Sequence, residues 1–294
     1  MARPKRNNIP KMPTTLDPYD TSFSAEKSYF FALASKLAYA KPKAIESELK
    51  RFGFDKARVI TNTETGTECF VAATKEFIVI SFRGTELSFK DWMTDFQFLH
   101  TDGPLGEGHS GFIKAYRSVA DELEEAIKYC RYRTKKRIPN GYGEMKDLFN
   151  KQHPQSIWLT GHSLGGALAS VAAAHRVERC LPVDGVYTFG SPRVFEWDTA
   201  IKYDQSAGDR TFRFVNNVDI VTRLPKRLMN YRHIGSLKYF DENGVLKEDP
   251  SWWSRFVDAI QGSFEDFMVK GPAAIKDHAI DDYINRAKKA CDSC

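Results

Sequence analysis

No stretch of this chain approaches the about 18 consecutive apolar residues that a membrane-spanning helix needs, so nothing in it reads as a span. Cysteine is scarce and odd in number, with five residues at Cys69, Cys130, Cys180, Cys291 and Cys294. That excludes a disulfide framework as the source of stability. Cys291-Asp292-Ser293-Cys294 is a lone C-x-x-C, two thiols where a structural zinc wants four ligands, so it reads as terminal sequence and no metal is expected. Charge of one sign is lacking as well: Lys and Arg number 43 against 38 Asp and Glu, a net +5. No basic stripe or nucleic-acid module results, so no nucleic-acid partner is expected, and solvated side chains account for the small excess. The basic start Met1-Ala2-Arg3-Pro4-Lys5-Arg6 is followed by no apolar h-region. No secretory signal is read there, and the expected compartment is the cytoplasm, or the exterior if the chain is a processed form. Internal repeats are absent, and nothing fixes the oligomeric state.

What is present is core-building material. Hydrophobic residues make up 42% of the 294 and aromatic residues 13%, which excludes a disordered chain. The length suits a single α/β domain. Residues 1–22, with Pro4, Pro10, Pro13 and Pro18, read as an extended arm, and 23–294 as one domain. Ser24 is placed to cap a helix running to Tyr39. Strand-like runs at 58–61 and 69–73 flank the turn residues Thr65-Gly66-Thr67. The run 77–82 is nearly all apolar, as a strand buried on both faces would be. A helix is expected over 111–132, then a strand at 156–160, a helix at 164–178, a strand at 185–189 and a helix near 195–203. A strand follows at 211–215, a strand or hairpin arm at 231–240, and a clear helix at 279–290. The polar segment 131–155 reads as a surface insertion. Strand and helix alternating in this way predict a mostly parallel sheet with helices on both faces.

The most informative stretch is Gly161-His162-Ser163-Leu164-Gly165-Gly166. A G-x-S-x-G pattern suits a sharp strand-to-helix turn whose serine projects from the sheet, and it needs Gly two residues to either side because a Cβ there would clash. The pentapeptide alone is weakly specific. Its context is not: Ile157-Trp158-Leu159-Thr160 before it reads as a strand, and the Ala-rich 167–174 after it as a helix. Ser163 is therefore the candidate nucleophile.

Four ordered motifs together resemble one family. Gly161 to Ala167, Phe82-Arg83-Gly84-Thr85, His109-Ser110-Gly111-Phe112 and Phe189-Gly190-Ser191-Pro192-Arg193 are similar to the class 3, fungal-lipase-like group of the α/β-hydrolase fold. The likeness runs from about residue 25 to 285. It implies a serine carboxylic-ester hydrolase that acts on triacylglycerol or other fatty-acyl esters, at times at a lipid–water interface, without a cofactor. Phospholipase A1 and feruloyl-type esterase use the same machinery, and a non-catalytic lipid- or partner-binding relative would lack part of it.

A serine hydroxyl needs a histidine to take its proton and a carboxylate to hold that histidine. On this fold the order is Ser, acid, His, all on loops at the carboxyl ends of strands. Asp184 precedes a strand and so lies at the wrong end. Asp219 follows the strand-like 212–215, and its run to Leu224-Pro225 is similar to the family's acid segment. Beyond it only His233 and His278 remain. His233 falls within the strand-like 231–235, whereas His278 stands on a loop before an amphipathic helix and, as in the family, ahead of a Tyr. The candidate triad is Ser163, Asp219 and His278. His162, although next to the serine, points away from its Oγ in such a turn.

The backbone N–H of Leu164 is the first oxyanion donor expected of the turn. The resemblance implies Thr85 as the second, with Asp95 orienting its hydroxyl. Phe89, Trp92, Met93 and Phe96 fall at i, i+3, i+4 and i+7, one face of a short helix, and the resemblance implies a lid there; packing into the core is the alternative. Where the family usually has Gly after Pro192-Arg193-Val194, this chain has Phe195, which leaves the loop near the acyl pocket open.

Overall fold

The computed structural model describes residues 17–85, 99–132, 155–217, 219–248 and 277–293. The expectations for Asp95, for the stripe of Phe89, Trp92, Met93 and Phe96, for most of the 131–155 insertion and for the arm before residue 17 lie outside the described residues.

Helix α1 (Ala25–Leu37) starts where expected, with the Ser24 hydroxyl accepting from the Lys27 N–H at 3.0 Å. A second helix that the sequence reading passed over, α2 (Pro42–Arg51), begins on a proline in its first turn and buries Ile45 and Leu49. The hairpin β1 (Lys56–Asn62) and β2 (Thr67–Ala73) leads antiparallel into β3 (Phe77–Phe82). A short hairpin follows, β4 (His100–Gly103) and β5 (Gly106–His109). The helix expected over 111–132 is two helices, α3 (Ser110–Arg117) and α4 (Ala120–Cys130), because Val119 leaves helical geometry at φ −123°, ψ −2°.

Then the alternation sets in: β6 (Ser156–His162), α5 (Leu164–Glu178), β7 (Gly185–Phe189), β8 (Phe195–Glu196), α6 (Trp197–Ala207) and β9 (Thr211–Asn216). The chain described closes with β10 (Tyr231–Arg232), β11 (Ser236–Phe240), β12 (Leu246–Lys247) and α7 (Ile280–Asp292). The strand expected at 231–240 divides, since β10 pairs with β8 while β11 lies parallel to β9. The helix expected from 195 starts two residues late for the same reason. Phe195 is held in β8, and its buried ring stacks 6.3 Å from Tyr203.

The main sheet has the order β1-β2-β3-β6-β7-β9-β11-β12, with β3, β6, β7, β9 and β11 parallel and antiparallel strands at both edges. A smaller antiparallel sheet runs β10-β8-β5-β4. All six residues of β3 are buried, and their alternation explains why helices cover both faces. Ile78, Ile80 and Phe82 join a core with α3, α4, α5 and α6. Phe77 and Val79 join another with α1, α2 and α7, where Phe31 stacks on Trp158 at 5.4 Å and on Tyr187 at 4.7 Å. Each such side chain, fully buried, stabilises the fold by about 1.5–3 kcal/mol. The result is an α/β-hydrolase fold. Among the described residues no helix is long and apolar enough to cross a membrane.

Candidate active site

Strand β6 ends at His162 and α5 begins at Leu164, so Ser163 alone makes the turn. Its backbone sits at φ 58°, ψ −129°, a region that L side chains rarely enter. The Ser163 N–H donates to the Phe189 carbonyl at 2.9 Å, which ties the turn to β7. A Cβ on Gly161 would lie 2.2 Å from the carbonyl carbon and oxygen of Gly165, and a Cβ on Gly165 would lie 2.2 Å from the Phe82 carbonyl oxygen. The carboxyl end of β3, the turn and the first turn of α5 therefore approach more closely than any side chain permits. That is the physical content of the glycine spacing.

Asp219 and His278, far apart in sequence, meet beside this turn. Asp219 is 1% exposed and follows β9, its N–H donating to the Asn216 carbonyl at 2.9 Å. Its Oδ2 receives the Tyr283 hydroxyl at 2.6 Å and lies 2.9 Å from His278 Nδ1; its Oδ1 receives the Val221 N–H at 3.0 Å. A carboxylate only accepts, so His278 Nδ1 carries the proton and Nε2 keeps its lone pair. Tyr283, in the first turn of α7, in turn accepts from the Asn216 N–H at 3.0 Å. Burial and the adjoining Asp219 carboxylate push its hydroxyl pKa well above the usual range, so it stays a donor. Asn216 Nδ2 donates to the Asp277 carbonyl at 2.8 Å, and Asn217 Nδ2 to the Asp277 carboxylate at 3.1 Å, fixing the residue before the histidine.

Both neighbours of Ser163 in space hold His278. Gly190 follows Phe189, whose carbonyl takes the serine N–H, and a Cβ on Gly190 would lie 2.9 Å from His278 Nδ1 and Cε1 and 2.8 Å from Asp219 Oδ2. On the other side, His162 Nε2 donates to the His278 carbonyl at 2.7 Å, with the two rings 4.6 Å apart. Since Nε2 must donate there, Nδ1 accepts, and the Tyr39 hydroxyl supplies its proton at 2.9 Å. Burial first, and the neighbouring His278 second, hold the His162 pKa well below its ordinary value, so the ring remains neutral. Both ring nitrogens of His162 are thus engaged, one by the Tyr39 hydroxyl and the other by the His278 backbone.

His233 stands in the connection between β10 and β11 rather than inside a strand, and its Nε2 donates to the Thr222 carbonyl at 2.7 Å. The segment that carries Thr85 packs on the turn, since the Phe82 carbonyl and Arg83 back onto Gly165; Thr85 itself is half-buried. Leu164 takes the first position of α5. Among the described residues no group of three or more His, Cys, Asp and Glu is placed to hold a metal. Tyr39, Asn216 and the bond from Tyr283 also belong to this hydrogen-bonded cluster. In the sequence Tyr283 had a signal, its place after His278, whereas Tyr39 and Asn216 had none, because their partners come from elsewhere in the chain.

Residues 79–229, just over half of the chain, match the lipase (class 3) family. Secreted mono- and diacylglycerol lipase 1 of Fusarium solani is 33% identical over 196 residues, which cover 65% of this chain and 52% of that protein. Triacylglycerol lipase OBL1 of Arabidopsis thaliana is 29% identical over 258 residues, 74% of this chain and 50% of that protein. Among solved structures, the mono- and diacylglycerol lipase of Aspergillus oryzae superposes with a TM-score of 0.57 at 26% identity, covering 74% of this chain and 80% of that chain. The chain thus spans about half the length of the curated relatives it matches. With the family match, the parallel sheet and the strained serine turn in one place, this chain belongs to the class 3 lipase family of the α/β-hydrolase fold.

Proposed function

We propose that the chain hydrolyses fatty-acyl carboxylic esters, acylglycerols first among them, through an acyl-Ser163 intermediate. The observation that carries this reading is the Asp219–His278 pair, bonded at 2.9 Å and clamped beside the serine turn through Gly190 and His162. In the first half-reaction Ser163 Oγ attacks the ester carbonyl carbon while its proton passes to His278 Nε2. Asp219 holds the charged ring, and His278 then returns the proton to the leaving alcohol. Water repeats the sequence to release the fatty acid. The carbonyl oxygen gains charge where the Leu164 N–H and the Thr85 N–H are the expected donors, each worth about 3–4 kcal/mol in such sites. The choice of acylglycerols rests on the relatives, which are named as mono-, di- and triacylglycerol lipases. No cofactor enters these steps.

The test is hydrolysis of p-nitrophenyl esters from acetate to palmitate, below and above their solubility limits, with Ser163→Ala beside the wild type. A Ser163-dependent rate that rises with chain length and jumps when substrate forms an interface supports the lipase reading. Activity confined to short soluble esters replaces it with an esterase. No Ser163-dependent activity on any ester, together with no labelling of Ser163 by a fluorophosphonate, overturns it.

A further inference from the structure

Behind the loop 190–194 that backs His278 lies a small cavity of about 10 Å³, room for about one water-sized particle. Thr188, Ser191, Arg213, Arg232 and His233 are among its walls. Its chemistry is cationic. Arg213 enters from the middle of β9, and its Nε is buried without an acceptor among the described residues. Arg223 nearby leaves Nε and Nη2 in the same condition. Arg193, 5% exposed, directs Nη1 to the carbonyls of Arg223 and Pro225. Arg232 packs its guanidinium on the Trp197 ring.

These guanidinium groups repel one another. Burial, then Arg213, Arg227, Arg223 and Arg232, bring Arg193 down to about 9, and burial brings Arg213 down to about 10. Among the described residues two carboxylates act on the group, Asp204 on Arg213 and Asp219 on Arg223. Asp204 already accepts the Gly235 N–H at 2.7 Å, and Asp219 holds His278 and Tyr283. Among the described residues three cations, Arg193 buried and Arg213 and Arg223 half-buried with their Nε atoms enclosed, thus face two carboxylates that have other work. A buried charge left over in this way is costly unless a counter-charge reaches it. Water would bring a dipole but no charge. Phosphate, carboxylates and acyl chains are too large for the space, and among counter-charges a single monoatomic anion comes nearest to its size.

We propose that this cavity is a halide site, in which one chloride or bromide accepts hydrogen bonds from the Arg213 guanidinium between the walls formed by Thr188, Ser191 and Arg232. The bound anion neutralises the arginine group and stiffens the loop behind His278, whichever ester the enzyme takes. It is a part of the fold, not a reactant.

The test compares thermal unfolding in sodium bromide, sodium chloride and sodium gluconate at one ionic strength, for the wild type and Arg213→Met. The wild type is expected to melt about 2–4 °C higher in either halide than in gluconate, saturating with concentration, as a ligand at about ten times its dissociation constant would give. Arg213→Met should melt alike in all three salts. Equal melting of the wild type in the three salts, or a halide shift retained by Arg213→Met, overturns the site. Should the variant fail to fold, crystals of the wild type grown in sodium bromide decide the matter: an anomalous peak between Arg213 and Thr188 supports the proposal, and its absence refutes it.

Discussion

Ser163 joins two demands that oppose each other. Its hydroxyl must stand clear of the sheet, and the backbone that puts it there, at φ 58°, ψ −129°, is unfavourable for any side chain. Removing the hydroxyl while keeping Cβ leaves that strain, whereas removing Cβ relieves it. Ser163→Gly should therefore unfold in urea at a free energy about 1 kcal/mol higher than Ser163→Ala, both being inactive. Equal midpoints would mean that the turn stores no strain. If Ser163 and His278 are nucleophile and base as proposed, Ser163→Ala and His278→Ala should each lower kcat by about 10⁶-fold, and the double variant little further, since such a pair acts as a unit. Multiplying losses in the double variant would remove one of them from the unit. Tyr283→Phe takes one of the donors from Asp219 without disturbing the others. Kcat is expected to fall about 10-fold with KM unchanged, the scale of one charge-assisted hydrogen bond realised mainly when His278 carries charge. A change in KM alone would make Tyr283 a packing residue only.

At the scale of elements, the site depends on how closely β3, β6 and α5 approach. Gly165→Ala puts a Cβ 2.2 Å from the Phe82 carbonyl oxygen, a backbone atom that cannot swing aside as a side-chain tip would. Either α5 withdraws from β3 or the turn reshapes, and the expected loss is about 3 kcal/mol, with activity falling even where the protein still folds. Unchanged unfolding and activity would show that the elements are not locked at this crossing. Local signals made much of this arrangement legible. The Ser24 cap, the apolar run that became β3 and the strand–Gly-x-Ser-x-Gly–helix order each carry their meaning within a few residues, and they led to α1, to the sheet centre and to Ser163. The pairing of the candidates Asp219 and His278 could be read because strand ends and their order constrain them, with the family resemblance choosing among aspartates. What failed to show was long-range. The second sheet joins two-residue strands, Phe195–Glu196 and Tyr231–Arg232, which are too short to leave a periodic trace. The Tyr39–His162–His278 clamp joins residues more than a hundred positions apart. Tertiary pairing of this kind fixes side chains without patterning the sequence around them.

For the molecule as a whole, three histidines work as neutral structural parts. His109 Nδ1 accepts the Gly111 N–H at 3.1 Å, His162 Nδ1 accepts from Tyr39 at 2.9 Å, and His233 donates to Thr222 at 2.7 Å. Burial is the first cause in each case, pushing His109 down to about 3 and His162 and His233 well below the usual value. In the unfolded chain the same rings titrate near about 6.5. Below that pH the unfolded state binds protons that the folded state refuses. The stability these rings contribute is therefore complete above pH about 6.5 and is lost as pH falls toward their folded values, at about 1.4 kcal/mol per pH unit for each ring. Asp184 and Asp204 act in the opposite sense, because desolvation of their carboxyl groups raises the pKa values. Between pH 6 and 5 the three histidines together should remove about 3–4 kcal/mol, readable as a falling urea midpoint with an unchanged slope. His109→Gln, whose side-chain oxygen is placed to accept the Gly111 N–H, should recover about a third of that loss. A midpoint that stays level from pH 6 to 5 would mean that these rings take up protons in the folded state, and that the neutral His162 through which the His278 backbone is held is not the form the protein uses.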